Sequence, residues 1–211
     1  MNILCVNTCF TKTYVVVCVG DKVISKEMES SFKQSENLLL ALNDCLTQAS
    51  IKVSDLDYVS CVIGPGSFTG IRIGASLLKG LCFPFPNIKK IEINSLDLLA
   101  YSFAKQNKIT TFNIVLNALS GNVFVKKFNL NNQEISDSLL LKKDQISNEK
   151  NIGLVEEKLD ICDEFADFSC EDLLNFTKIF ISQNKFSENF TPVYVRKSQA
   201  EQELDERNGN N

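Results

Sequence analysis

Between the apolar run Tyr58-Val59-Ser60-Cys61-Val62-Ile63 and the apolar stretch Ala75-Ser76-Leu77-Leu78-Lys79-Gly80-Leu81-Cys82 lies the segment Gly64-Pro65-Gly66-Ser67-Phe68-Thr69-Gly70-Ile71-Arg72-Ile73-Gly74. The first run reads as a buried strand and the second as a helix, so the glycines sit at a strand-to-helix turn. Pro65 fixes its own φ and blocks helix before the turn. Ser67 or Thr69 can cap the helix start. Gly66, Gly70 and Gly74 recur every four residues and leave one helix stripe bare of side chains. Two readings of the segment stand side by side. Its backbone N–H groups could meet a phosphate or another chain, or the glycines could serve a tight turn and close helix–sheet packing. A Gly-rich turn alone does not choose between them.

The elements around this turn alternate. Asn2–Asn7, Thr13–Val19 and Val23–Glu29 read as strands, the last two joined by a hairpin at Gly20-Asp21-Lys22. Gln34–Ala49 carries Leu38, Leu39, Leu42, Cys45, Leu46 and Ala49 at helical spacing. Asp57–Ile63 is the strand before the Gly-rich turn, and Pro84-Phe85-Pro86 stops the following helix. Ile88–Ile93 is a strand and Ser95–Ala104 a third helix, capped by Asn94 or Ser95. After the polar stretch Lys105-Gln106-Asn107-Lys108 the pattern starts again. Phe112–Asn117 and Asn122–Phe128 are strands joined at Ala118-Leu119-Ser120-Gly121, Asn151–Val155 is a short strand, and Glu171–Gln183 a helix. Pro192-Val193-Tyr194-Val195 is a last apolar segment, and the polar tail from Gln199 to Asn211 reads as frayed. Three antiparallel strands followed by crossover helices give a mixed sheet with helices on its faces. The restart suggests an abbreviated second copy. The expectation is an α/β, two-lobed fold of the ASKHA (actin/hexokinase-like) class, with one lobe over 1–104 and a second over 105–211.

Composition narrows the chemistry. The chain has 211 residues and a net charge of −4, so it is not a nucleic-acid binder by bulk electrostatics. No segment offers the roughly 18 uncharged apolar residues of a membrane helix, and the N-terminus lacks a signal-peptide pattern; a cytoplasmic protein with no membrane contact is expected. There is no histidine. That removes a Cys–His nucleophile pair and mixed Cys/His zinc sites, and with them a metalloprotease. The eight cysteines include no Cys-x-x-Cys pair and read as reduced, mostly buried thiols. The lysine pairs Lys89-Lys90, Lys126-Lys127 and Lys142-Lys143 read as solvated faces, and so do the acidic pairs Glu156-Glu157 and Asp163-Glu164.

In an ASKHA lobe the hairpin after the first strand faces the nucleotide phosphates, and a phosphotransferase would want a carboxylate there to hold Mg²⁺. Here that turn is Asn7-Thr8-Cys9-Phe10-Thr11-Lys12-Thr13, and the equivalent place in the second half carries Asn117. Both are neutral amides and read first as turn-forming residues. Arg72 stands either as an ordinary surface residue or as a partner for a carboxylate.

The Gly64–Gly74 segment resembles the signature of the bacterial TsaB (YeaZ) family, whose members serve in making threonylcarbamoyladenosine on tRNA. Other segments are similar to that family in order along the chain: Ile3-Leu4-Cys5-Val6-Asn7-Thr8, Gln34-Ser35-Glu36-Asn37-Leu38-Leu39, Asn94-Ser95-Leu96-Asp97-Leu98-Leu99-Ala100, Leu116-Asn117-Ala118-Leu119-Ser120-Gly121-Asn122-Val123-Phe124 and Pro192-Val193-Tyr194-Val195-Arg196. The chain departs from the family where Asn7 and Asn117 replace usual acids, Gln34 a frequent His, and Leu119-Ser120 an Arg-containing pair. The resemblance implies a non-catalytic scaffold and activator that pairs with its catalytic paralogue TsaD and recruits TsaE, meeting tRNA only through that complex. It implies no cofactor bound by the chain alone, ATP or ADP at most at the complex interface, and a homodimer when TsaD is absent. The implied partner surface is Leu38, Leu42, Gly66, Ser67, Phe68, Thr69, Gly70, Arg72, Ile73, Gly74 and Leu77. Nucleotide contact, if present, would fall to Asn7, Thr8, Asn117 and Gly121. The competing expectation is an active ASKHA-type ATPase or small-molecule kinase, motivated by the Gly-rich turn and opposed by the two asparagines.

Overall fold

The strands of the first half form one sheet in the computed structural model, which describes residues 1–29, 33–131, 134–147 and 149–193. β1 (Asn2–Asn7), β2 (Lys12–Val19) and β3 (Lys22–Glu29) run antiparallel, and β4 (Tyr58–Gly64) and β5 (Lys89–Asn94) join in parallel, in the order β3-β2-β1-β4-β5. Ile3, Leu4, Cys5 and Val6 are all fully buried because β1 is central and covered on both faces. Leu4 and Val6 meet one apolar cluster, and Ile3 and Cys5 the other, as the period of two requires. β3 lies at the edge and alternates exposed with half-buried residues.

On the Leu4/Val6 face lie α1 (Gln34–Ala49) and α2 (Phe68–Cys82). The α1 residues Leu38, Ala41, Leu42, Cys45, Leu46 and Ala49 recur at three and four and turn to the sheet. The helix stops at Ser50, which takes a left-handed φ of 57° and donates its N–H to Leu46 and Thr47. α2 starts at Ser67, whose Oγ accepts from the Gly70 N–H at 3.2 Å. On the opposite face α3 (Ser95–Gln106) starts at Asn94, which accepts from the Leu96 N–H.

The second half builds another mixed sheet from β6 (Thr111–Asn117), β7 (Asn122–Asn129), β8 (Glu134–Ile135), β9 (Leu139–Lys142), β10 (Asn151–Leu154) and β11 (Glu164–Ala166). β7 is antiparallel to β6, while β10 and β11 follow in parallel. The path β7-β6-β10-β11 thus repeats the order and sense of β2-β1-β4-β5. α4 (Cys170–Ser182) leaves this sheet and packs back on the first one beside α3. A reciprocal Ser169–Asp172 capping box starts it, and a buried Thr177–Ser60 hydroxyl pair at 2.9 Å seats it. The strands β8, β9 and β11 and this return of α4 are not apparent in the sequence pattern.

One apolar cluster runs through both sheets, from Ile3 and Val16 to Phe112, Ile114 and Leu154. Phe103, Phe112 and Phe128 line up within it, with centroids 5.0 and 5.6 Å apart. Two related mixed sheets with flanking helices are the two-lobed ASKHA layout. Among the described residues no helix is long and apolar enough to cross a membrane. Val193 donates its N–H to Ile63 at 2.9 Å. Tyr194, Val195, Arg196 and the tail from Gln199 lie outside the described residues.

Candidate functional site

The Gly-rich turn is pressed against the β1–β2 turn of its own chain. The Ser67 N–H donates to the Cys9 carbonyl at 2.7 Å, and a Cβ on Gly66 would lie 2.6 Å from that same oxygen. On Gly70 a Cβ would collide with the Thr8 carbonyl, and on Gly74 with the Thr8 hydroxyl. Space, rather than unusual backbone angles, demands glycine at these helical positions. Thr8 answers by donating its hydroxyl to the Gly70 carbonyl at 2.7 Å. Gln34, at the start of α1, donates its amide to Thr13 Oγ1 at 3.0 Å and to the Thr8 carbonyl at 3.4 Å. Turn, α1 and α2 are therefore one knot, and the bare stripe is an internal packing surface. Gly70 and Gly74 are buried and Gly66 half-buried, which corrects the expectation that all three offer themselves to a partner.

The same correction applies to Leu38 and Leu42, which are fully buried in the α1 side of the core. The leucines that face outward on α1 are Leu39 and Leu40, 51% and 63% exposed. Leu39 thus departs from the core stripe that the periodicity assigns it to, and Leu40 lies off that stripe altogether, the signal of a second face. From the rest of the expected partner set, Ser67, Thr69 and Arg72 are exposed and Phe68, Ile73 and Leu77 half-buried. The Arg72 guanidinium stacks over the Phe68 ring, 3.8 Å from its centroid.

Asn7 and Asn117 occupy equivalent places, each ending the strand at the centre of its sheet. Each closes an Asx turn: Asn7 Oδ1 accepts from the Cys9 N–H at 3.1 Å, and Asn117 Oδ1 from the Leu119 N–H at 2.9 Å. Asn7 also donates to the Lys12 carbonyl. Asn7 and Thr8 are fully buried, Asn117 is half-buried and Gly121 exposed. Leu119, Ser120 and Gly121 all take positive φ, which makes the β6–β7 connection a tight hairpin.

Aromatic side chains pack beside the β1–β2 turn. Phe168 meets Phe10 and Tyr14 edge-on at 5.7 and 5.5 Å, and the Tyr14 hydroxyl donates to the Phe168 carbonyl. Asn7, Phe10, Lys12, Tyr14, Leu154, Glu156, Asp167 and Phe168 line a shallow crevice here.

The pair Glu156-Glu157 divides: Glu156 is exposed, as the solvated reading expects, and Glu157 is half-buried, while both are engaged in hydrogen bonds. Glu156 accepts from the Thr11 N–H at 3.0 Å and from the Thr11 hydroxyl. Glu157 accepts from the Asn117 N–H at 2.7 Å, and burial pushes its carboxyl up to about 7. Burial also raises Asp167. Lys126 departs from the solvated reading too, since it is largely buried in an ion pair with Asp97 at 2.7 Å.

Burial pushes the Cys5 thiol up to about 11 and Cys9 to about 12, so neither is a thiolate nucleophile near neutral pH. All eight cysteines are free. Among the described residues no three His, Cys, Asp or Glu side chains are grouped to hold a metal ion.

Residues 28–193 match the family model described as TsaD, tRNA N6-adenosine threonylcarbamoyltransferase. The chain is 26% identical over 172 residues to the tRNA threonylcarbamoyladenosine biosynthesis protein TsaB of Buchnera aphidicola from Acyrthosiphon pisum, covering 79% of this chain and 76% of that protein. It is 26% identical over 125 residues to TsaB of Escherichia coli, covering 59% of this chain and 53% of that one. The solved structure of YeaZ from Pseudomonas aeruginosa superposes with a TM-score of 0.74 at 20% identity, covering 92% of this chain and 99% of that one. The chain belongs to this threonylcarbamoyltransferase family, within its TsaB (YeaZ) branch.

Proposed function

We propose that the chain is a non-catalytic subunit in the synthesis of N6-threonylcarbamoyladenosine on tRNA, a scaffold and activator that pairs with TsaD and recruits TsaE. The observation that carries this reading is the aromatic packing at the β1–β2 turn beside the two Asx turns. Where a phosphotransferase would keep room for a nucleotide and a carboxylate for its metal, this chain has Phe10, Phe168 and two asparagines engaged in their own turns. Binding and positioning a partner needs neither. In this reading any ATP or ADP sits at the interface with TsaD rather than against Asn7, Thr8, Asn117 or Gly121, tRNA is met through the complex, and the work is done in the cytoplasm.

The surface we assign to the partner is the outer face of α1 and α2: Leu39, Leu40, Phe68, Arg72, Ile73 and Leu77. An apolar patch with one stacked arginine suits a protein interface. The same face would pair two copies when TsaD is absent. The Gly-rich stripe supports that surface from beneath. We retain 1–104 and 105–211 as the two lobes, with α4 the segment of the second that grips the first.

Co-purification with the cognate TsaD, scored for a complex and for restored modification of tRNA, tests the reading. Complex and activation are expected; neither would sink it. Calorimetry with Mg·ATP on the isolated chain separates it from the ATPase or kinase alternative. Micromolar binding with steady turnover by this chain alone would reverse the assignment.

A further inference from the structure

Two consecutive carboxylates reach two turns that lie more than a hundred residues apart in the chain. Glu156 takes the Thr11 N–H and hydroxyl of the β1–β2 turn, and Glu157 takes the Asn117 N–H at the start of the β6–β7 turn. These turns end the central strands of the two sheets; both glutamates belong to the second lobe, so Glu156 reaches across to the first while Glu157 anchors the pair to its own. The base from which they reach is itself short and fixed. Val155 donates its N–H to Ala166 at 3.0 Å, Glu157 donates its N–H back to Leu154 at 3.0 Å, and Lys158 takes a positive φ of 45° that ends the turn.

Among the described residues neither glutamate has an ion-pair partner. Lys12 lines the same crevice, but its ammonium is paired to Glu27 at 2.9 Å, and Asp167 adds a further negative charge. Backbone N–H groups are what receive both carboxylates, the type of donor that receives a bound anion at a turn. The Phe10–Phe168 contact borders the same crevice that Glu156 and Asp167 line. Keeping a largely buried carboxylate is costly, and packing alone gives no reason for an acid at position 157.

We propose that Glu156 and Glu157 act as one clasp, a pair of acceptors shared by the two turns, which holds the lobes closed over the Phe10–Phe168 contact and occupies the N–H groups that an anionic ligand of the cleft would need. Closure is then a property of the chain itself and requires no ligand. Because Thr8 in the clasped turn is bonded to Gly70 and Gln34, the clasp also fixes the platform beneath α1 and α2.

Residue-resolved amide exchange on the isolated full chain tests the clasp without reference to any partner. The decisive variant is Glu156→Ala, because Glu156 is exposed and its loss leaves the core intact. If the clasp is one unit, exchange at Thr11 and also at Asn117, in the other lobe, rises by about tenfold or more, while Leu4 and Val59 in the first sheet keep their rates. Glu157→Ala is expected to give the reciprocal result at Thr11. Should acceleration stay confined to the amide whose own acceptor was removed, the two glutamates are independent turn caps and the proposal fails. If Glu157→Ala does not fold, the Glu156→Ala measurement at Asn117 decides alone.

Discussion

The Thr8 hydroxyl donates to the Gly70 carbonyl at 2.7 Å, bonding the β1–β2 turn to the first turn of α2. The relationship works in both directions. Thr8 can approach only because Gly70 and Gly74 have no Cβ, and the helix start is fixed only because the turn comes so close. The repeat of glycines every four residues is the imprint of one threonine and the carbonyls beside it.

Gly70→Ala is therefore expected to destabilise the isolated chain by about 2 kcal/mol, a typical penalty for overpacking, because the new methyl meets a backbone oxygen that cannot rotate away. Gly74→Ala should cost less, since the Thr8 side chain can turn aside at the loss of about one hydrogen bond, roughly 1 kcal/mol. Gly80, in the same helix, has nothing within 4 Å of its would-be Cβ. Gly80→Ala should stabilise by about 0.5–1 kcal/mol through helix propensity alone. Urea unfolding of the three variants checks the order. A Gly70→Ala midpoint equal to the parent's would remove the packing account.

Adjacent residues of α1 should separate partner binding from stability. Leu39→Glu and Leu40→Glu change exposed positions and should move unfolding free energy by no more than about 0.5 kcal/mol. On the proposed interface they should weaken association with TsaD by at least about tenfold, as loss of a central apolar contact does. Leu38→Ala is the converse. It empties a fully buried site and should cost about 2–5 kcal/mol. Binding unchanged in both glutamate variants would place the partner surface elsewhere.

Much of the fold is legible in local pattern. β1 and α1 begin and end where apolar periodicity says, because the central strand is apolar throughout and α1 keeps one continuous stripe. The short strands β8, β9 and β11 escape because two to four residues carry no period. The return of α4 to the first sheet is likewise invisible, since its apolar face does not say which sheet it covers. The site was legible in type and misread in direction. Glycines every four residues announce a close approach, yet only the fold shows that the approaching backbone is the chain's own. Leu38 and Leu42, on the partner surface that the resemblance implies, belong to the very stripe that builds the core. Glu156-Glu157 looks like any solvated pair until β10 delivers it between two turns.

The last of these misreadings leaves a signature in the pH dependence of stability. Glu157 titrates near 7 in the folded chain against an ordinary value of 4.5, raised chiefly by burial. Between those values the folded state holds a proton that the unfolded state has lost. Stability contributed by this group is therefore greatest below about pH 4.5 and falls as pH rises to about 7. The shift corresponds to about 3 kcal/mol at most, and partial solvent access reduces it to about 2. Glu157→Gln keeps an oxygen to accept the Asn117 N–H but carries no charge. It should be more stable than the parent by about 2 kcal/mol at pH 8, with the advantage shrinking to nearly nothing at pH 4.5. Urea midpoints of both proteins at these two pH values decide the matter. Parallel curves would mean that Glu157 is solvated in the folded chain, and that its bond to the Asn117 N–H is open for most of the time.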